Sequence, residues 1–156
     1  MTTIPRTLES DTLVRFFSLS LKLRAPMVVL IVDDEKIVAE SMAEIFRLFG
    51  DQSFFATNAA EARILARQTQ PQLLITDVVM PKENGIDLAI EILEEIPACK
   101  VLLISGQAET SNLLERAERQ GRHFEILAKP VPPHDLVRRA HKIVEDNSAE
   151  AAAASN

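Results

Sequence analysis

Short apolar runs alternate with amphipathic stretches along this chain from residue 28 onward. Of these runs, the one at 28–32 is continuous and rich in β-branched residues, which is typical of a strand buried on both faces. In the stretches between the runs, apolar residues recur every three or four positions, which predicts helices with one buried face. Strands are predicted at 28–32, 53–57, 72–76, 100–104 and 124–128, and helices from 35 or 36 to 49 and at 59–68, 86–96, 110–120 and 133–144.

This alternation of strand and helix predicts an α/β domain built from βαβ units, and therefore a parallel sheet with helices on both faces. One common solution is a flavodoxin-like, doubly wound sheet with the strand order 2-1-3-4-5, which here would comprise five strands and five flanking helices. Apolar residues share one face of the first helix and are predicted to pack on the sheet: Val38, Met42, Ile45 and Phe49.

The regular pattern covers residues 27–145, which we take as the domain. Residues 1–26 are an N-terminal extension that is disordered, adds an edge strand at 17–24, or lies upstream of a natural translation start at Met27. Residues 146–156 are rich in Ala, Ser and Asn, which indicates a disordered tail or a frayed extension of the last helix. The pattern therefore predicts a stand-alone domain without an output domain.

Composition narrows the possible classes of partner. The chain has 17 Lys and Arg against 23 Asp and Glu, a net charge of -6, so it lacks the basic excess of a protein that binds nucleic acid directly. No apolar run approaches the roughly 20 residues that cross a bilayer, which argues against membrane insertion. The single Cys99 cannot form an internal disulfide and fits a cytoplasmic location. The histidines are scattered over predicted loops and helices: His123, His134 and His141.

Polar residues that can handle phosphate or metal follow the predicted strands. Asp33 and Asp34 follow the first strand, Asp77 the third, Ser105 the fourth and Lys129 the fifth. If the first strand lies beside the third, the acids become neighbours, and the hydroxyl and the lysine flank the same crevice. Crowded carboxylates repel one another and need shared protons or a cation.

The residue types at this edge favour magnesium and phosphate chemistry. Mg2+ prefers oxygen ligands, and the absence of a nearby His or Cys argues against zinc. A carboxylate can attack phosphorus to form an aspartyl phosphate. Lys129 supplies a compact cation for a phosphoryl group, and the Ser105 hydroxyl supplies a hydrogen-bond donor.

Over about residues 28–144 the sequence resembles the receiver domain of two-component response regulators. Residues 31–35, IVDDE, are similar to the acidic motif of its first strand, and residues 77–81, DVVMP, followed by Gly85, are similar to its phosphoacceptor loop. Residues 104–106, ISG, and the Lys129-Pro130 pair complete the pattern.

The resemblance implies that Asp77 accepts a phosphoryl group from a histidine kinase or a histidine phosphotransfer protein. It implies Mg2+ as the cofactor, with Asp34 and Asp77 as direct ligands. Asp33 would act mainly through a bound water, and the backbone carbonyl of Val79 would be a further ligand.

The resemblance also implies a switch. Lys129 would contact the phosphoryl group, Ser105 would move toward it on activation, and the bond before Pro130 would be cis. Receiver domains usually carry Tyr or Phe three residues before the lysine, but this chain has Ile126 there. Phe124, on the same strand face, either substitutes in part or packs in the core.

By the same resemblance, Val79 and Gln107 occupy positions that tune hydrolysis of the acyl phosphate. The fourth helix, fifth strand and fifth helix would form the face for a downstream protein partner. The chain would be a signalling domain rather than an enzyme, with at most self-phosphorylation and self-dephosphorylation.

Two alternatives are a phosphorylation-independent interaction domain and a haloacid-dehalogenase-type phosphohydrolase, although the latter usually carries a second Asp where this chain has Val79.

Overall fold

The structure is a computed structural model that describes residues 11, 12, 15, 19, 24–106 and 110–154, excepting the side chains of 110, 147–149 and 151. Its strands are β1 Val28–Val32, β2 Gln52–Ala56, β3 Leu73–Asp77, β4 Lys100–Ser105 and β5 Glu125–Ala128. Its helices from residue 24 onward are α1 Lys36–Leu48, α2 Ala59–Thr69, α3 Gly85–Glu95, α4 Thr110–Arg119 and α5 Pro133–Ala154.

The strands form one parallel sheet in the order β2-β1-β3-β4-β5, which confirms the predicted flavodoxin-like topology. The winding reverses between β1 and β3, which pair in register from Val29 with Leu73 to Val32 with Thr76. This pairing brings the carboxyl ends of β1 and β3 side by side, so the residues that follow them share one edge of the sheet.

Two apolar clusters fill the two faces of the sheet. Val29 and Ile31 point to the side covered by α1 and α5, and Leu30 and Val32 point to the side covered by α2, α3 and α4. The four side chains are at most 1% exposed. Strands buried on both faces in this way are why β1 is a continuous apolar run and not an alternating one.

The buried face of α1 differs from the predicted face. Ala39, Ala43 and Phe46 are its buried residues. The predicted set lies one position away around the helix and is only partly buried: Val38, Met42, Ile45 and Phe49. The prediction selected bulky apolar residues at helical spacing. Small alanines instead allow the helix backbone to lie close to the sheet, and the predicted bulky side chains then lie at the side of the contact.

Both ends of the chain bear on alternatives that the sequence leaves open. Leu19 is helical and Arg24 lies in a bend, so the predicted edge strand is wrong at these two positions, and the rest of 17–23 lies outside the described residues. Helix α5 continues as far as Ala154, which agrees with an extension of the last helix and not with a disordered tail over 146–154. Alanine is the strongest helix former, which explains why this segment extends α5 without bulky apolar residues. None of the described helices is long and apolar enough to cross a membrane.

Asp51, the residue before β2, carries a buried carboxylate at the amino-terminal edge of the sheet. It accepts hydrogen bonds from Arg24 Nη1 at 2.8 Å and Nη2 at 3.1 Å, from the Met27 backbone N–H at 3.0 Å and from His141 Nε2 at 2.8 Å. Burial alone would raise the pKa of Asp51, but the bonds from His141, Arg24 and Met27 outweigh it and lower the pKa to about 2. The ionised carboxylate can only accept, so Nε2 of His141 carries the proton.

We expect Asp51 to make the stability of the fold depend on acid pH. A depressed pKa stabilises the folded state above the unfolded value of 3.8, and this contribution is lost as the pH falls toward about 2. The shift from 3.8 to about 2 corresponds to about 2 kcal/mol. In urea unfolding, the free-energy difference between the native protein and Asp51→Asn should therefore shrink between about pH 5 and about pH 2. An unchanged difference would contradict this assignment.

Candidate functional site

The carboxyl ends of β1, β3 and β5 supply the charged groups of the candidate site. Asp33 and Asp34 follow β1, Asp77 is the last residue of β3, and Lys129 directly follows β5. Asp33 is buried, Asp77 is half-buried and Asp34 is exposed. One oxygen from each of the three carboxylates can be chosen so that all lie within 4.8 Å of one another. The structure therefore brings together the acids that the strand ends predict.

Lys129 bridges two of these acids. Its Nζ donates to Oδ2 of Asp33 and to Oδ2 of Asp77, each at 3.0 Å. The remaining oxygens are held by the backbone, since Glu35 N–H donates to Oδ1 of Asp33 at 2.9 Å and Val79 N–H to Oδ1 of Asp77 at 3.4 Å. The two carboxylates are thus fixed in orientation by their own loops and by a single lysine.

The charges in this cluster are not balanced. Burial raises the pKa of Asp77, the Lys129 ammonium opposes this, and the nearby Asp33 carboxylate adds to the increase, so the pKa remains above its ordinary value. Burial works against the charge of Lys129, but its hydrogen bonds to the two carboxylates prevail and raise its pKa. One ammonium therefore leaves the acids undercompensated, and a divalent cation would complete the balance.

The helix that follows the Asp77 loop lies unusually close to β3. A methyl group placed on Gly85, the first residue of α3, would lie 2.0 Å from the backbone oxygen of Asp77 and 2.8 Å from Oγ1 of Thr76. The Gly85 N–H donates to the Val78 carbonyl at 2.8 Å, and the Thr76 hydroxyl donates to the Asp77 carbonyl at 3.0 Å. Sequence reasoning missed Thr76, although Gly85 itself is part of the recognised pattern.

Ser105 ends β4 and is 7% exposed. Its carbonyl accepts a hydrogen bond from the Lys129 N–H at 2.9 Å, which connects the end of β4 to the residue after β5. The Lys129–Pro130 peptide bond is cis, the isomer that the family resemblance implies. Gln107, predicted to tune hydrolysis, lies outside the described residues.

An open cavity of about 620 Å³ lies over these groups. Asp34, Asp77 and Lys129 line it from the sheet edge, together with Gly106. The loop after β3 supplies the opposite wall through Val79, Met80 and Pro81, and Glu35 completes the lining. Sequence reasoning assigned no role to Met80 and Pro81 individually, because apolar loop residues carry no chemical signal of their own.

The donor set suits a hard divalent cation. The carboxylates of Asp33, Asp34 and Asp77 offer oxygen ligands, and they include an exposed acid that a cation can reach from the cavity. Oxygen-only donors in a partly open site match the preferences of Mg2+, which retains several waters. Burial raises the pKa of Asp77, with a smaller contribution from the Asp33 carboxylate, and a bound cation would favour the ionised form.

Residues 29–141 match the sequence model of the response regulator receiver domain. The chain belongs to this family. Similar curated proteins include a response regulator receiver protein of Anaeromyxobacter sp., which is 39% identical over 102 residues, or 65% of this chain. They also include the transcriptional regulatory protein HptR of Staphylococcus aureus, which is 36% identical over 66% of this chain. The DNA-binding transcriptional regulator NtrC of Azospirillum brasilense is 30% identical over 80% of this chain.

This receiver chain spans 42%, 40% and 25% of the lengths of these three relatives, respectively. Solved structures agree on the fold. The receiver domain protein of Methanospirillum hungatei JF-1 has a TM-score of 0.72 at 22% identity, covering 81% of this chain and 99% of its own. The receiver domain protein of Clostridium thermocellum has a TM-score of 0.70 at 25% identity, covering 79% and 98% of the respective chains.

The receiver departs from its family at the switch position. Ile126, which stands where family members usually carry an aromatic residue, is 36% exposed on β5. Phe124 packs against the cluster between the sheet and helices α2, α3 and α4. The structure therefore shows Phe124 in the core, one of the two roles that the sequence allows for it.

Proposed function

We propose that Asp77 of this receiver accepts a phosphoryl group from the phosphohistidine of a histidine kinase or histidine phosphotransfer protein. The observation that carries the proposal is the position of Asp77 at the floor of an open cavity, 3.0 Å from the Lys129 ammonium and close to two further carboxylates. A receiver domain is a signalling module, and this site lets it hold a covalent signal.

In the proposed transfer, a carboxylate oxygen of Asp77 attacks the phosphorus of phosphohistidine. A P–O bond forms while the P–N bond breaks, and the imidazole nitrogen keeps the electron pair and takes a proton from water. Lys129, already within hydrogen-bond distance of Asp77, is placed to donate to the oxygens of the transferred group.

We assign Asp33, Asp34 and Asp77 as the residues that hold Mg2+, with the Val79 backbone carbonyl as a further ligand. When bound, the ion would neutralise charge on the phosphoryl oxygens. The carboxylates position the nucleophile and Asp34 presents an exposed acid to the entering cation. The partners proposed here are intracellular signalling proteins, and a cytoplasmic location remains a prediction.

The downstream partner would bind the face formed by α4, β5 and α5. Ser105 and Lys129 stand at the ends of β4 and β5, so a phosphoryl group that draws them inward would act on these elements. Ile126 adds an exposed apolar side chain to the same face. We propose that Ser105 and Lys129 form the switch, and we assign no rotation of an aromatic side chain to this chain.

Acetyl phosphate provides the direct test. We expect intact-mass measurement to show one phosphoryl adduct per chain with Mg2+, and none with EDTA or in Asp77→Asn. Asp135→Asn, which alters an exposed aspartate on α5, should keep the adduct and serves as the control. If the native protein formed no adduct with acetyl phosphate in the presence of Mg2+, the proposal would be contradicted.

Two alternatives give different outcomes. A phosphorylation-independent interaction domain would bind its partner equally in a pull-down with and without beryllofluoride. A haloacid-dehalogenase-type phosphohydrolase would turn over a phosphate ester continuously. Val79 stands where such enzymes usually carry a second Asp, and within the described residues the acids that gather at the site are Asp33, Asp34 and Asp77.

A further inference from the structure

The buried cluster around Asp51 lies at the opposite edge of the sheet from the acidic cavity. Asp51 precedes β2, whereas the acids of the cavity lie at or after the ends of strands. Its side chain is fully buried, and the partner side chains of Arg24 and His141 are 15% and 9% exposed. A charged group in such a place needs close partners, and this one has a guanidinium, an imidazole and a backbone N–H.

The three side chains come from separate parts of the chain. Asp51 lies between α1 and β2, His141 lies on α5, and Arg24 belongs to the segment before β1. Arg24 is also outside residues 29–141, which match the receiver family. The salt bridge from Arg24 therefore starts outside the matched residues, and it ends on the carboxylate that also binds His141 of α5.

The two carboxylate oxygens of Asp51 are shared between Arg24, Met27 and His141. Arg24 Nη1 and the Met27 N–H occupy Oδ1, and Arg24 Nη2 and His141 Nε2 occupy Oδ2. A fork of two parallel bonds fixes the plane of the carboxylate, and that plane sets the direction from which His141 can donate. Without Arg24, each oxygen would lose one of its two donors, and only the Met27 N–H and His141 Nε2 would hold the carboxylate.

The hydrogen bond between His141 and Asp51 attaches α5 to the sheet edge near the middle of the helix. Its first turns pack on the sheet through Leu136, Val137 and Ala140, and His141 is the next residue along the helix. The preceding loop carries Lys129 and connects the helix to the cavity. Ile143 and Val144 also pack against the same apolar cluster, so the bond to Asp51 lies among the apolar contacts that hold this part of α5.

We propose that Arg24 is a strap that ties the segment before β1 to helix α5 through Asp51, so that the position of α5 depends on that segment. The strap would operate whether or not Asp77 accepts a phosphoryl group.

Hydrogen exchange of the full chain tests the strap. In Arg24→Ala, the backbone amides around His141 should exchange about tenfold faster or more, as expected from the loss of a charge-assisted bond pair. The amides of α3 should not change. Arg116→Ala removes an exposed ion pair with Asp87, 2.9 Å long, and should leave α5 unchanged, which makes it the matched control.

Two background variants of the full chain separate a strap from a local contact. In an Asp51→Asn or His141→Gln background, Arg24→Ala should add little, because the path to the helix is already broken. Unchanged α5 exchange in Arg24→Ala, or an effect of full size in either background that folds, would overturn the proposal.

Discussion

Replacing Gly85 by alanine is expected to lower the free energy of unfolding by about 3 kcal/mol, one of the largest effects of any single methyl group in this protein. The added carbon would lie 2.0 Å from the Asp77 carbonyl oxygen and 2.9 Å from its carbonyl carbon. Both atoms belong to the backbone, so rotation of a side chain cannot relieve the overlap. Helix α3 or the end of β3 must move, and a movement of β3 would displace Asp77, the proposed phosphoacceptor.

Gly106→Ala is the matched control for this substitution. Gly106 lines the same cavity, but a methyl group there would meet Lys129 side-chain carbons at 3.6 and 3.8 Å, which is ordinary contact. Urea unfolding should show a change below about 1 kcal/mol for Gly106→Ala. The folded fraction of Gly85→Ala should also form less adduct with acetyl phosphate. Equal free energies of unfolding of the two variants would contradict the close packing of α3 against the Asp77 backbone.

Replacing Lys129 by methionine is expected to change the two activities of the site in opposite directions. Adduct formation should slow by about 100-fold, because the cation that faces the transferred oxygens is lost. Mg2+ binding should tighten by about tenfold, because the ammonium that occupies Oδ2 of Asp33 and of Asp77 no longer repels the ion. Calorimetric titration with Mg2+ and intact-mass time courses measure the two effects.

Lys82→Met is the control, since Lys82 is an exposed lysine on the loop after β3. It should leave the rate of adduct formation within about twofold, as expected for a surface charge. If Lys129→Met weakened both Mg2+ binding and phosphorylation, the lysine would be acting as a structural support of the loop and not as the phosphate-binding cation.

The topology and the acidic site could be predicted from sequence because both depend on chain order. Continuous apolar runs marked the strands, and polar residues at their ends marked one edge of a parallel sheet. Asp33 and Asp77 are far apart in sequence, yet the pairing of β1 with β3 brings them to a common lysine. The strand order alone therefore sufficed to place these groups together.

Packing and long-range polar contacts could not be predicted in the same way. The buried face of α1 includes Ala39 and Ala43, and a search for bulky apolar residues does not detect such small side chains. His141 looked like a scattered helical residue because its partner Asp51 lies 90 positions away in sequence. Arg24 lay at the end of a possible edge strand, a position that gives no sign of the carboxylate it binds.

Mapping the phosphoryl group to a residue tests the central claim most directly. The protein would be treated with acetyl phosphate and Mg2+, reduced with borohydride, which converts an aspartyl phosphate to homoserine, and digested for mass spectrometry. We predict homoserine at position 77 and unmodified aspartate at positions 33 and 34. Homoserine at position 33 or 34, or at no position, would contradict the assignment of Asp77 as the phosphoacceptor.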